Sequence, residues 1–68
     1  MNQIKPRADL IEAIKAVRPS ERKGAIEVAN ITFERAFARL EKWGEFSRAM
    51  HIDMAMDAAV FEVKFWHA

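Results

Sequence analysis

Few side chains in this 68-residue chain could do chemistry, and most of them fail on spacing. His51, Asp53 and His67 are the metal-capable set, but two histidines and an aspartate at this irregular spacing match no metal-ligand signature. They read as surface residues. There is no cysteine, so disulfides and thiolate metal sites are excluded. No nucleophile sits beside a base, and neither a glycine-rich phosphate loop nor a close carboxylate dyad is present. The chain is therefore not read as an enzyme, and no catalytic residue, cofactor or small-molecule ligand is expected. What remains is an ordered placement of charge. On a helical period Thr32, Arg35, Arg39 and Lys42 gather on one flank, with Glu34 and Glu41 on the other. Phe33, Ala36, Phe37, Leu40 and Trp43 recur between them and face a core. One apolar, one basic and one acidic stripe is more organisation than solubility requires.

Bulk composition does not make that basic stripe a nucleic-acid signal by itself. Eleven Lys and Arg against ten Asp and Glu leave a net charge of +1, less basic than dedicated DNA-binding domains. The distribution is uneven, however. Lys5, Arg7, Lys15, Arg18, Arg22 and Lys23 make the first third basic, whereas Asp53, Asp57 and Glu62 make the tail mildly acidic. A 51% hydrophobic content supports a real core. At this length there is one domain, spanning residues 1–68, of marginal stability. No apolar run approaches a membrane helix and no secretory signal is visible, so no membrane is expected and the cytoplasm is the default compartment.

The elements that must position these residues follow from periodicity. Leu10, Ile11, Ile14 and Val17 share one face between Pro6 and Pro19, predicting a helix over 8–17. Ser20 is a suitable N-cap for a second helix over 20–29, with Ala25, Ile26 and Ala29 buried. Asn30 tolerates a left-handed backbone and predicts a tight turn, after which Thr32 caps a third helix over 32–43. Gly44 ends that helix as a C′ residue does. Beyond it the period changes from about 3.6 to 2. Phe46, Arg48, Met50 and Ile52 alternate with polar or small residues, and Phe61, Val63 and Phe65 alternate with Val60, Glu62, Lys64 and Trp66. Strands over 45–52 and 60–66 are predicted, bracketing Met54–Ala58 in a hairpin. The competing reading is a single helix from Phe46 through Ala59, where Met and Ala favour helix.

In this order of elements the chain resembles winged helix-turn-helix regulators, of which MarR-like and GntR-like DNA-binding domains are familiar examples. Ile26-Glu-Val-Ala-Asn-Ile-Thr32 matches their helix and turn, Phe33–Lys42 their recognition helix, and Leu40-Glu-Lys-Trp-Gly-Glu-Phe46 its exit into a wing strand. The expected fold class is thus α+β: three helices followed by a two-stranded β-hairpin wing. The resemblance implies a small sequence-specific DNA-binding protein, a transcriptional regulator whose third helix enters the major groove of double-stranded DNA. It makes Arg35 and Arg39 base readers, because a guanidinium pairs bidentately with guanine. Thr32 and Lys42 flank them, while Arg22, Lys23 and Arg48 become phosphate contacts.

The tail carries a second expectation. Met54-Ala-Met-Asp57 is apolar and acidic where wings often carry cations, and Trp66 and Phe65 cannot both be buried in so small a domain. With Met50, Met54 or Met56 one of them forms an apolar patch for a second subunit of a homodimer or for another protein. The alternative function is therefore a protein-interaction module that binds and modulates another protein through Trp66, Met54 and Met56. A helical rather than stranded tail favours that alternative.

Overall fold

The computed structural model describes residues 5–67, with side chains as far as Phe65. Helix α1 (Ala8–Lys15) leads through a single 3-10 turn (Pro19–Glu21) into α2 (Arg22–Trp43), and α3 (Arg48–His67) returns along it. α2 and α3 form an antiparallel hairpin, and α1 lies across one side of both. No strand occurs among the described residues. This corrects the winged α+β expectation: the domain is all-helical, with one long helix in place of a helix-turn-helix and a helix in place of the wing.

The first correction turns on Asn30. It lies inside α2, exposed, and no residue other than glycine has a positive φ among those described. Asparagine permits a left-handed turn but does not impose one. Within a helix it costs at most about 0.7 kcal/mol relative to alanine. Against that stands one unbroken inward face made by Ala25, Ala29, Thr32, Phe33, Ala36 and Leu40, all buried or half-buried. A turn at Asn30 would split this face into two that could not both follow α3. Continuity of the seam outweighs the local preference.

The second correction concerns the tail. His51, Ala55, Ala59 and Val63 recur every four residues, as do Ile52, Met56 and Val60, and both rows point inward. A period of two describes Phe61, Val63 and Phe65 only by ignoring those rows. In the helix the trio separates. Val63 is fully buried, while Phe61 and Phe65 project outward one turn apart with ring centroids 6.1 Å apart. The helix starts at a side-chain cap, since Ser47 Oγ accepts the Met50 N–H at 3.2 Å.

Gly44 ends α2 as its position predicts, with φ 69° and its N–H on the Leu40 carbonyl at 2.9 Å. The core is built from small residues on the hairpin and aliphatic ones at its side. Ala25 and Ala29 on α2 and Ala55 and Ala59 on α3 are all buried, and Leu10, Ala13 and Val17 share one cluster with Met56, Val60 and Val63. Alanines let two helix backbones approach closely, at the expense of little apolar area per residue.

α1 is fastened by charge. The Arg7 guanidinium reaches Asp9 Oδ2 and Asp53 Oδ1, each at 2.7 Å, and also meets Asp57. It holds the Asp9 carboxyl below its ordinary range. A carboxyl so depressed stabilises the fold above its unfolded value, and the contribution is lost as pH falls through the lower native value. Arg7→Ala is therefore expected to speed amide exchange in α1 more than in the α2–α3 seam. Acid below the ordinary aspartate range should do the same to the wild type and leave Arg7→Ala little changed. Equal acceleration in all three helices would show that α1 is not separately fastened.

Candidate interaction surface

α3 is apolar on two sides. Its inner side is the core just described. On the outer side Met50, Met54, Ala58, Phe61 and Phe65 share a stripe at helical spacing. Met50 is 49% exposed, Phe61 67% and Phe65 70%, while Met54 and Ala58 are half-buried. A helix apolar around most of its circumference is characteristic of one enclosed on all sides, and among the described residues only the inner side is covered. The stripe continues onto α2 through Ile31, which shares a shallow groove with Ala58 and Glu62.

The basic row lies along the α2 edge of the same face. Arg35 and Arg39 are exposed, and with Thr32 and Ala36 they line the groove that holds Ile31, Ala58 and Glu62. Neither arginine makes an ion pair among the described residues, although Glu62 lines the same groove. Thr32 is half-buried in the hairpin. Lys42 stands further along, where Arg39, Leu40 and Trp43 line a second depression. Thr32, Arg35 and Arg39 thus line one groove and Lys42 the next, on the middle of a long helix rather than on a short one projecting from a turn.

The remaining predicted site residues disperse. Arg22 is occupied: its Nε donates to the Val17 carbonyl at 3.0 Å and its Nη2 to the Lys15 carbonyl at 2.8 Å. It ties off the end of α1. Lys23 is exposed in the first turn of α2. Arg48 lies 5.4 Å above the centre of the Phe37 ring, a cation–π contact between the two long helices. Met56, expected in an exposed patch, is buried beneath α1 because the helix turns it to the Ile52–Val60 side. Trp66 falls in the last turn of α3, and its side chain lies outside the described residues. Trp43, read as core, is 61% exposed and packs edge-on against Phe46 at 5.8 Å.

The metal-capable residues do not converge. His51 is buried, Asp53 belongs to the Arg7 cluster, and the His67 side chain lies outside the described residues. Among the described residues no three such side chains could hold a metal ion, and no helix is long and apolar enough to cross a membrane. Sequence reasoning missed Phe61 as a surface residue. The signal was present in the helical recurrence of positions 54, 58, 61 and 65, and was hidden by reading the segment as a strand. Comparison with known protein families, with curated proteins and with solved structures finds no match.

Proposed function

We propose that this chain is a protein-interaction module, a helical hairpin braced by α1 that presents the outer face of α3 to another protein surface. The observation that carries the reading is the stacked pair Phe61 and Phe65, each about two-thirds exposed or more on a continuous apolar stripe. Aromatic side chains hold the largest contact area at interfaces, and exposing two together is costly in a free monomer. The face that binds is the face with both an apolar stripe and an ordered charged edge.

A photo-crosslinking residue at position 61 tests this directly. It is expected to give a covalent adduct of discrete mass in cells, whereas the same residue at exposed Glu27, on the far side of α2, gives none. Equal yields at both positions, or none at 61, would remove the reading. The double substitution Phe61→Ser/Phe65→Ser should shift stability by no more than about 1 kcal/mol, because the rings contribute little to the core. A collapse of the fold in that variant would mark them as structural instead.

A second reading rests on Arg35 and Arg39, two exposed arginines one turn apart without ion-pair partners among the described residues. They could meet a nucleic-acid backbone or base edges, although no turn projects them into a groove. Anisotropy on mixed duplexes at two salt concentrations, with Arg35→Ala/Arg39→Ala beside wild type, decides it. Salt-sensitive binding lost in the double variant favours this reading.

A further inference from the structure

We infer that the occupant of the α3 stripe is a second copy of this chain, with the two α3 helices packed antiparallel. The inference rests on the protein-interaction reading above and names its partner. Met54, Ala58, Phe61 and Phe65 follow one another at steps of four, three and four residues, the alternation of a two-helix coiled seam. A partner helix with the same spacing fits such a seam, and a second copy of this chain supplies one.

Direction follows from size and charge. When two copies of the stripe are laid antiparallel about a point between Ala58 and Phe61, each Phe61 falls on the other copy's Ala58 and each Phe65 on the other copy's Met54. Large side chains meet small or flexible ones at every level, the arrangement that fills a seam without voids. On one edge Asp57, which already pairs with Arg7 of its own chain, lies beside Lys64 of the second copy, twice over by symmetry, so that a second cation joins a cluster in which three aspartates share one arginine. On the other edge Arg35, which lines the groove beside Ala58, faces the second copy's Glu62. Arg35 and Glu62 line one groove within the chain without pairing there, which leaves both available across the interface. A parallel arrangement would bring Phe61 onto Phe61 and set Asp57 against Glu62, two acids on one edge. The antiparallel arrangement satisfies both edges.

The absence of cysteine in this chain makes the geometry directly readable. Met54→Cys and Phe65→Cys variants are prepared separately and mixed under mild oxidation. The mixture is expected to form a disulfide-linked dimer, and neither variant alone should do so, because like positions lie many residues apart along an antiparallel pair. Self-crosslinking of Met54→Cys would establish a parallel pair and overturn the inference. So would a folded wild type that sediments as a monomer across the concentrations used, with no crosslink in the mixture. Failure of this kind is distinguishable from failure of the broader reading. An adduct at position 61 whose mass is not twice that of the chain would keep the interaction surface and replace its occupant, whereas no adduct at all removes both. Wild type is expected to sediment at twice the chain mass and Arg35→Glu at the monomer mass. The double reversal Arg35→Glu/Glu62→Arg restores the dimer if these two residues face each other, and its failure to do so would overturn the charge argument.

Discussion

Asn30→Pro is expected to cost this domain about 3 kcal/mol or more, which removes most of the stability available to a chain of this size. Asn30 sits near the middle of α2, so proline there removes the hydrogen bond from position 30 to the Ile26 carbonyl and drives its ring against that carbonyl. The damage would not stay local. The Ala25–Ala29 half of the inward face would lose its registration with the Ala36–Leu40 half, and α3 cannot pack on both. Asn30→Ala, by contrast, is expected to gain up to about 0.7 kcal/mol, and Asn30→Gly to lose a few tenths against wild type. Denaturant unfolding followed by far-UV circular dichroism gives all three. The order matters more than the sizes. If glycine were better tolerated than alanine at position 30, the residue would occupy a turn, and the continuous helix would be wrong.

That one residue also shows how far the sequence could be read. The first helix and the glycine stop follow from local rules, and each lies where those rules place it. The break at Asn30 and the β-hairpin do not. Both errors have the same origin, which is that a permissive local signal was given precedence over a longer period. Asn30 allows a turn, and Phe61, Val63 and Phe65 allow a strand. Yet the faces 25–29–33–36–40 and 51–55–59–63 run past those signals unbroken, and two long inward faces rich in alanine are what a close antiparallel hairpin needs. The resemblance to a winged domain strengthened the local reading, because a helix, a turn residue, a helix and a glycine can each be found inside one long helix. Arg22 and Met56 were misplaced for a different reason. What decides their surroundings is α1, since the Lys15 and Val17 carbonyls at and just past its end accept from the Arg22 guanidinium and its apolar face covers Met56. Such long-range contacts leave no periodic trace in either segment.

The second large effect is expected at His51, the only polar or charged residue buried among those described, at 2% exposure. Its Nδ1 lies 2.6 Å from Glu41 Oε2, and the Phe46 N–H reaches its Nε2 at 3.3 Å. These contacts fix the tautomer: Nδ1 carries the proton and donates to the carboxylate, and Nε2 accepts from the backbone. One side chain thereby joins the last turn of α2, the connecting turn and the first turns of α3, with the Phe46 ring edge-on to it at 6.5 Å. His51→Ala leaves the Phe46 N–H without its acceptor, releases Glu41 and opens a cavity at the closed end of the hairpin. The combined loss is expected to be about 2–4 kcal/mol. Glu41→Gln should cost less than about 1 kcal/mol, since its carbonyl oxygen still accepts from Nδ1–H. The double variant should then be no less stable than His51→Ala alone, because Glu41 matters here only through the imidazole. Additive losses would mean that Glu41 stabilises the hairpin by another route. A His51→Ala variant as stable as wild type would mean that Gly44 and the Ser47 cap are enough to close the hairpin without the imidazole.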